Sequence, residues 1–395
     1  MKINEVVNKN LCFGCGLCSF LDPSIEFSQT GDFNHPEAFT SCFHCPNFIF
    51  RKNKVLQNHD NNYFGSFYKL FLLKSRNPQI LSQASSGGFI TDFLFFLLKA
   101  QIIDGAIVTI KAVDKPWENQ IQIIKDYKFL EKNSLHSRYT QASPLIKVKE
   151  LLKMKGKYVF VGKGCDIASL TKLRKVNPKI NEKILFTIGI FCAHQPSRQA
   201  ILDYLKDKKI KLSQIKDLNF RYGSWPGNLK IKFKNGEEFS DSYLNVWPNF
   251  LAKSKYRNFR CDLCPDGFCE QADLSIGDPW ILLKKREAGS VVILRNSKFY
   301  PYLQKALKNN IFSATKIDPA FIIKSQQALV FKKKKMLPRF FLLKNLSKIN
   351  FSYEGWNLPQ IWQQNSLLEK IKFSLIAFLF YLKFLLNKPA KSPMK

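Results

Sequence analysis

The feature that most constrains this chain is a run of three equally spaced cysteines near its amino terminus. Cys12, Cys15 and Cys18 occur in CFGCGLC, and Cys42 and Cys45 follow in CFHCP. Three thiols at this C-x2-C-x2-C spacing, together with a remote Cys-Pro pair, are typical of segments that bind a 4Fe-4S cluster. The pattern predicts Cys12, Cys15, Cys18 and Cys45 as the four ligands and leaves Cys42 as a spare thiol.

Two other interpretations of these thiols stay open at this point. Zinc also accepts four cysteine ligands, and an isolated buried cysteine often serves only as a small apolar side chain. The first residues, MKINEVVNKN, lack an apolar h-region, so we expect no secretory signal and a cytoplasmic location. Because thiols stay reduced in that compartment, ten cysteines indicate metal ligands rather than disulfides.

A second set of cysteines lies in the later part of the sequence. Cys165 and Cys192 each follow a short apolar segment, at residues 158–161 and 184–191, that is predicted as a buried parallel strand. The carboxyl ends of neighbouring parallel strands meet at one edge of a sheet. We therefore expect these two thiols to lie close together.

A C-x2-C pair in CDLCPDGFC supplies further thiols. A loop that carried Cys261 and Cys264 over the sheet edge would complete four thiolates with Cys165 and Cys192. We predict these four residues as the ligands of a second cluster and leave Cys269 unassigned. Taken singly, each of these cysteines is more often a buried apolar residue.

The hydrophobic pattern predicts a mixed α/β (α+β) fold. Residues 1–60 show no sustained period and indicate a small ferredoxin-like iron–sulfur domain. The strand–turn–helix units that follow predict a parallel α/β core, and segments beyond residue 218, with an Asn235-Gly236 turn, predict further strands in an antiparallel or mixed sheet. The predicted boundaries are 1–60, 61–150, 151–330 and a basic tail at 331–395.

The charge of the chain points to an acidic partner without identifying it. Lys and Arg number 62 and Asp and Glu number 30, which gives a formal charge of +32. Nucleic acid, an anionic lipid surface and an acidic electron carrier such as ferredoxin all complement such a surface. A composition bias toward lysine explains the charge equally well.

The tail ends in an apolar segment at residues 373–386 that carries few charges. As a helix it would be about 21 Å long at 1.5 Å per residue, which is shorter than the roughly 30 Å of a bilayer core. Lys370, Lys372, Lys383 and Lys388 surround it. The pattern favours either an amphipathic helix on the inner face of the cell membrane or a helix docked on the protein itself.

Several segments, in order, resemble the family of coenzyme F-420 hydrogenase and dehydrogenase beta subunits: ASSGGFITDFLFFLLKAQIIDGAIVT, GKYVFVGKGCDIASL, IGIFCAHQPS, FRYGSWPG and CDLCPDGFCEQADLSIGDPW. The family includes 7-hydroxymethyl chlorophyll a reductase, a ferredoxin-dependent divinyl chlorophyllide 8-vinyl reductase and members associated with polysaccharide biosynthesis. The resemblance implies a flavin-binding mixed-sheet domain with FAD and one or two 4Fe-4S clusters.

The resemblance also implies residues that border the flavin. The family's S-G-G turn falls on Ser86, Gly87 and Gly88, and its A-D-x-x-x-G-D motif ends at Asp278. A plain turn before a helix and a turn-capping Asp are the structural alternatives. The family's G-T-P-C-Q-I segment is altered here to GKGCDI, which keeps Cys165 but changes its neighbours.

Together these features predict an oxidoreductase that takes electrons from a one-electron donor such as ferredoxin, or from a deazaflavin. The electrons would pass through 4Fe-4S clusters and FAD to a small-molecule or lipid-linked substrate, with polysaccharide biosynthesis as one setting. A pigment reductase of the same family is the first alternative. The second is a basic nucleic-acid-binding or membrane-binding protein with structural clusters, although we do not expect nucleic acid as the partner.

Overall fold

The structure is a computed structural model that describes residues 1–28, 32–38, 44–52, 59–133, 135–223 and 225–386. Cys42 and Lys388 lie outside these residues. The strands are β1 (Glu26–Ser28), β2 (His35–Ala38), β3 (Ile49–Arg51), β4 (Lys69–Ser75), β5 (Gly105–Lys111), β6 (Asn119–Ile124), β7 (Tyr158–Lys163), β8 (Ile184–Ile190), β9 (Ile215–Tyr222), β10 (Asn228–Phe233), β11 (Glu238–Ser242), β12 (Leu274–Gly277), β13 (Ser290–Leu294), β14 (Phe312–Lys316) and β15 (Ser352–Glu354).

The α-helices cover both faces of the main sheet and form most of the carboxyl-terminal region. They are α1 (Ile3–Asn8), α2 (Leu17–Leu21), α3 (Pro78–Gln83), α4 (Phe89–Lys99), α5 (Tyr127–Lys132), α6 (Leu145–Val148), α7 (Gly164–Val176), α8 (Pro178–Lys183), α9 (Arg198–Asp207), α10 (Tyr243–Val246), α11 (Tyr300–Lys308), α12 (Pro319–Ser325), α13 (Gln327–Lys334), α14 (Met336–Leu346), α15 (Leu358–Gln363) and α16 (Leu367–Leu386).

The centre of the molecule is an eight-stranded mixed sheet with the order β14-β4-β13-β12-β8-β7-β5-β6. Neighbours from β12 through β8 and β7 to β5 are parallel, and the outer pairs are antiparallel. The parallel strands β7 and β8 are almost wholly buried, as expected for strands covered by helices on both faces. The predicted mixed α/β class is confirmed.

Strands from both sides of residue 150 join this one sheet. Segment ADLSIGD forms β12 beside β8, and segment SVVILRN forms β13 beside β12. A separate three-stranded sheet, β11-β10-β9, is built from the other predicted strands. Strands of the two sheets differ in burial. In the central sheet β13 is buried at every residue, whereas in the three-stranded sheet β11 alternates between exposed and half-buried positions.

Helices α4 and α7 pack on opposite faces of the central sheet. Phe93, Leu94 and Leu97 of α4 belong to a core with residues of β7, β8 and β13. Ile167 and Leu170 of α7 belong to a second core with Phe160 and Tyr158. This packing holds the carboxyl ends of β7 and β8, where Cys165 and Cys192 follow, in fixed positions.

The carboxyl-terminal region packs against the amino-terminal cysteine region. Strand β15 pairs in parallel with β3, and the rings of Phe50 and Tyr353 stack with their centroids 4.8 Å apart. The same apolar core also contains Phe13, Met336 and Phe380. Chain segments that are remote in sequence therefore form one unit around the first cysteines.

Helix α16 is longer than the predicted apolar segment. Phe373, Ala377 and Phe380 on one face are buried against the protein. Leu375 and Leu379 on the other face are 61% and 65% exposed. Among the described residues, no helix combines the length and the apolar character needed to cross a bilayer.

Candidate functional site

The four predicted thiols of the amino-terminal group line a single cavity. Cys12, Cys15, Cys18 and Cys45 all line one pocket of about 30 Å³ that opens to solvent. The loop that carries the first three can turn tightly because Gly14 and Gly16 adopt the left-handed conformation, with φ of 68° and 82°. A side chain at Gly14 would meet the Gln141 amide nitrogen at 2.2 Å.

Hydrogen-bond donors point at the sulfur atoms of this cavity. The backbone N–H of Gly14 donates to Cys12 Sγ at 3.4 Å, and that of Leu17 donates to Cys15 Sγ at 3.5 Å. Asn47 Nδ2 donates to the same Cys15 sulfur at 3.2 Å. Donors to sulfur are a principal way in which a protein stabilises thiolates and tunes an iron–sulfur cluster.

The surroundings of the first cavity are apolar, with the cations of Arg260 and Lys172 beside it. Burial raises the pKa of the Cys12 thiol to about 12 and also raises the pKa of Cys15 and Cys45. The guanidinium of Arg260 acts in the opposite direction on the pKa of Cys12 and of Cys45. Thiols in such surroundings become thiolates when a metal replaces their protons.

The segment RYTQAS holds the first cysteine loop in place. Gln141 Nε2 donates to the Phe13 carbonyl at 2.7 Å, and Ser143 Oγ donates to the Gly14 carbonyl at 2.6 Å. Asn34 Nδ2 donates to Ser143 Oγ at 2.7 Å. Inspection of the sequence assigns no role to this segment, and its function as a support appears only in the folded chain.

The second predicted group also lines one cavity. Cys165, Cys192, Cys261 and Cys264 all line one pocket of about 20 Å³ that opens to solvent. Cys165 is the second residue of α7, directly after β7, and Cys192 follows the end of β8. Two strand ends and a C-x2-C loop therefore come together at this edge of the sheet.

Basic and acidic side chains surround the second cavity. Lys163, His194, Asp266 and Lys332 all lie in its wall. Burial raises the pKa of Cys192 to about 12, and the Lys332 and Lys163 ammonium groups act in the opposite direction. Burial lowers the pKa of His194 to about 4, which keeps its imidazole neutral and able to bond the Leu251 carbonyl at 3.2 Å.

Cys269 lies apart from this cavity, in the core beneath the sheet edge. Its thiol donates to the Ile190 carbonyl at 2.8 Å, and its side chain is wholly buried. Its Cβ lies so close to Gly189 that a side chain at that glycine would meet it at 2.4 Å. These contacts are those of a packed structural cysteine.

The two cavities share a wall. Phe13 lines both of them. Arg260 lines the second cavity and also donates to the carbonyls of Leu11 and Asn47 beside the first. Asn258 Nδ2 adds a bond to the Cys12 carbonyl at 3.1 Å. The loop that carries Cys261 thus contacts the loop that carries Cys12.

The S-G-G turn packs closely against the central sheet. A Cβ added at Gly87 would lie 2.4 Å from the backbone nitrogen of Ser290 and 2.6 Å from the Leu73 carbonyl oxygen. Ser86 Oγ donates to the Gly289 carbonyl, and Gly88 precedes α4 with φ of 73°. These glycines therefore serve the docking of the turn on the sheet.

Arg221 connects this turn to Asp278. Its Nη1 donates to Asp278 Oδ2 at 2.6 Å, its Nη2 donates to the Ser85 carbonyl at 2.6 Å, and Ser85 Oγ donates back to the Arg221 carbonyl at 3.0 Å. The Arg221 side chain is buried, whereas Asp278 is partly exposed. The S-G-G turn and the motif that ends at Asp278, both predicted to border the flavin, are thus joined through Arg221, for which the sequence predicted no role.

Aromatic rings run from the second cavity to this Arg221–Asp278 pair. The His194 ring lies 5.1 Å from Trp247, Trp247 lies 5.8 Å from Tyr243, and Tyr243 lies 6.0 Å from Trp280 between ring centroids. The Arg221 guanidinium lies 4.6 Å from the Tyr243 ring centre. We name these four rings the aromatic row.

Arg260, Gln141 and Arg221 are the site residues that sequence reasoning missed. Arg260 precedes Cys261, and Arg221 lies in the FRYG segment, so their neighbours in sequence offered a signal. Gln141 lies in the RYTQAS segment, which resembles a family segment ending in Gln-Ser, but that resemblance gave it no firm role. In the part of the chain that the structure describes, no three His, Cys, Asp or Glu side chains come close enough together to bind a single metal ion.

Comparison with known families matches two adjoining parts of the chain. Residues 70–150 match the amino-terminal part of the beta subunit of coenzyme F420 hydrogenase/dehydrogenase, and residues 155–320 match the carboxyl-terminal part of the same subunit. The two matches together cover more than half of the chain. The protein belongs to this family, as the resemblance predicted.

Relatives with known names are redox enzymes or parts of them. The chain is 23% identical over 329 residues to a coenzyme F420-dependent sulfite reductase of Methanocaldococcus jannaschii, covering 75% of this chain but only 46% of that protein. It is 22% identical over 290 residues to a subunit of the F(420)H(2) dehydrogenase of Methanosarcina mazei, covering 70% of this chain and 78% of that protein. These names place the chain in a family of oxidoreductases.

A solved structure has the same fold. The chain resembles a chain in the structure of the F420-reducing [NiFe] hydrogenase complex from Methanosarcina barkeri, with a TM-score of 0.53 and 21% identity. The match covers 70% of this chain and 95% of that one. At this identity the likeness establishes the fold alone.

Proposed function

We propose that this chain is an iron–sulfur flavoprotein oxidoreductase that holds two 4Fe-4S clusters and a flavin in sequence. The observation that carries the proposal is the pair of four-thiol cavities with a shared wall. When bound, the clusters carry single electrons and the flavin exchanges one or two, so that a one-electron donor and a two-electron acceptor are connected. The protein would hold these groups in position, bury them and surround them with charged side chains.

The residues of both cavities fit a cluster. Each cavity offers four thiols, the donor set of a 4Fe-4S cluster. The bonds from Gly14, Leu17 and Asn47 to sulfur, and that from the Gln195 N–H to Cys261 Sγ at 3.4 Å, would remain available to bound thiolates. The chemistry of the donor set therefore supports iron and sulfide.

The flavin is proposed beside Ser86, Gly87, Gly88 and Asp278, where the family resemblance puts it. The aromatic row supports this position, because it begins in the wall of the second cavity and ends at the Arg221–Asp278 pair. FAD is the cofactor we propose. The names of the relatives also carry coenzyme F420, a deazaflavin, which makes it a candidate donor or acceptor in place of ferredoxin.

Partners and substrate are proposed from charge and from the relatives. A chain with a formal charge of +32 complements an acidic electron carrier, and such encounter is fast at low salt. One relative is named as a subunit of a dehydrogenase, and the solved structure with the same fold is that of a hydrogenase complex, which supports assembly with a partner protein. For the substrate we propose a small or lipid-linked organic molecule, with polysaccharide biosynthesis as its setting.

A peripheral contact with the inner face of the cell membrane is also proposed. Leu368, Ile371, Leu375, Leu379 and Leu382 of α16 form an exposed apolar stripe. Anionic lipid is the proposed occupant because Lys372 and Lys383 border this stripe and the whole chain is cationic. The buried face of α16 would hold the enzyme on that surface.

The test is anaerobic purification of the full chain, followed by analysis of iron, sulfide, zinc and flavin. We expect about eight iron atoms per chain in the native protein and about four in Cys15→Ser or Cys261→Ser, because each variant removes a ligand of one cluster. Cys269→Ser is the matched control and should keep all the iron. Zinc in place of iron, in a colourless protein, would overturn the proposal and favour the structural binding module.

A further inference from the structure

Arg260 is a buried cation in the wall between the two thiol cavities. Only 1% of its surface is exposed. Its Nη2 donates to the Asn47 carbonyl at 2.9 Å and its Nη1 to the Leu11 carbonyl at 3.4 Å, so it contacts both segments that carry the first group of thiols. It also lines the second cavity, directly before Cys261 in sequence.

No carboxylate neutralises this guanidinium within the described residues. The ion pairs found there leave Arg260 out, and its Nε has no hydrogen-bond partner. Its other neighbours are aromatic, with its guanidinium carbon 3.5 Å from the Phe351 ring centre and 5.3 Å from that of Phe13. A buried charge without a counter-charge is strongly unfavourable, which indicates that an anion belongs beside it.

We propose that Arg260 is a positioning residue whose charge sets the reduction potential of the first cluster. This inference rests on the proposed function, since the missing counter-charge is then the pair of anionic clusters. Addition of one electron to the first cluster adds one negative charge beside the guanidinium. The cation therefore favours the reduced form and raises the midpoint potential, by the same physics by which net charge tunes such clusters.

The geometry of the site indicates that loss of the Arg260 charge changes the reduction potential of the first cluster more than that of the second. The guanidinium donates to one carbonyl beside Cys12 and to one beside Cys45. Another ammonium group near the first cavity is that of Lys172, which donates to the Pro46 and Ile49 carbonyls and is only half-buried. The second cavity has two other ammonium groups in its wall, from Lys163 and Lys332. Loss of Arg260 thus removes a larger share of the positive charge around the first cluster.

The experiment is a redox titration of the full chain, monitored by electron paramagnetic resonance, with iron and sulfide measured on every sample. Arg260→Met keeps the bulk and removes the charge. We expect its first-cluster midpoint to fall so that reduction becomes at least tenfold less favourable, or about 59 mV for a one-electron couple. Arg51→Gln, which removes an exposed cation of the same region, should leave the midpoint unchanged.

A second variant covers the case in which Arg260→Met loses its cluster. Arg260→Gln also removes the charge, but its amide can still donate to one of the carbonyls that Arg260 bonds. Its first-cluster midpoint should fall in the same direction as that of Arg260→Met, whereas Arg260→Lys, which keeps a cation, should stay close to the wild type. A midpoint that matches the wild type in either neutral variant with full iron overturns the inference. Absence of iron and sulfide from the wild type would instead overturn the proposed function.

Discussion

Gln141 Nε2 donates to the Phe13 carbonyl at 2.7 Å, while its Oε1 accepts the backbone N–H of Asn34 at 2.5 Å. One buried amide therefore fastens the first cysteine loop to the segment that follows it and to the body of the protein. The residues it connects are 128 and 107 positions away in sequence. These two hydrogen bonds connect the amino-terminal cysteine region to the region that carries the S-G-G turn.

Replacing Gln141 should damage the first cluster selectively. Gln141→Leu leaves the Phe13 carbonyl and the Asn34 N–H buried without partners, at a cost of about 1–3 kcal/mol for each group. We expect the variant to lose most of the roughly four iron atoms of the first cluster and to keep those of the second. Iron analysis and the resonance spectrum of the reduced protein check this. Gln199→Leu, at an exposed site, is the control. Equal loss from both clusters would contradict the prediction.

A buried ion-pair network holds the carboxyl-terminal helices on the second cysteine loop. Lys333 Nζ lies 2.5 Å from Glu270 Oε1, Lys52 Nζ lies 2.5 Å from Glu270 Oε2, and neither Lys333 nor Glu270 has an exposed side chain. Lys333→Met leaves the carboxylate with one partner and should destabilise the protein by up to about 3–5 kcal/mol. Lys334→Met removes only a partly exposed pair with Glu369 and should cost less than about 1 kcal/mol. Chemical denaturation of both variants measures the difference.

The same network predicts how stability depends on pH. Burial alone would raise the pKa of Glu270, but the Lys333 and Lys52 ammonium groups hold it below its ordinary value of 4.5. A lowered folded-state pKa contributes stability that is fully present above the unfolded value and is lost as the pH falls through the folded value. We expect the wild type to lose this contribution only below about pH 4.5, whereas Glu270→Gln lacks that part of the acid dependence. Identical acid profiles would contradict the assignment.

The sequence is most informative where a feature depends on residues close together in the chain. The spacing of Cys12, Cys15 and Cys18, and the position of Cys165 and Cys192 after apolar strands, predicted thiols that line common cavities in the structure. Their role as cluster ligands stays a prediction. The parallel core and the mixed α/β class followed from the strand–turn–helix pattern. Each of these signals lies within a few residues of the feature that it predicts.

The wall between the two cavities could not be predicted in the same way. Arg260 bonds to Asn47 and Leu11, which lie 213 and 249 positions earlier in the sequence, and β15 pairs with the still more remote β3. Such pairings depend on packing of the whole chain, which periodicity does not encode. The C-terminal helix illustrates the same point: its sequence left docking and membrane contact as alternatives, and the fold gives one face to the protein and leaves the other exposed.

The S-G-G turn offers a test that separates folding from flavin binding. Gly87→Ala places a Cβ 2.4 Å from the Ser290 nitrogen and should destabilise the protein by at least about 1–3 kcal/mol. The ratio of flavin to iron in its folded fraction should also fall, because Gly87 borders the proposed flavin and the turn must shift to admit the Cβ. Asp278→Asn keeps a hydrogen bond to Arg221 but removes the charge, and we expect a lower flavin-to-iron ratio in the folded fraction together with a loss of stability, because the buried Arg221 loses its counter-charge. Absorbance and iron analysis measure the ratio, and an unchanged ratio in Asp278→Asn would make that residue only a structural partner of Arg221.

The exposed face of α16 predicts binding to anionic membranes. Deletion of the helix is an unsuitable test, because Phe373 and Phe380 on its other face belong to the protein core. Leu375→Gln and Leu379→Gln change only the exposed face, and each should weaken binding by about tenfold if the leucine inserts into lipid, since burial of such a side chain contributes about 1.5–3 kcal/mol when complete. Val113→Gln, at a site 81% exposed on another part of the surface, is the matched control.

The measurement is co-sedimentation with vesicles of phosphatidylserine and phosphatidylcholine. It should show binding that weakens with salt and is much lower on phosphatidylcholine alone. Wild-type protein that stays in solution with both kinds of vesicle would refute the membrane contact, and self-association lost in Leu375→Gln would assign the face to a second copy of the chain.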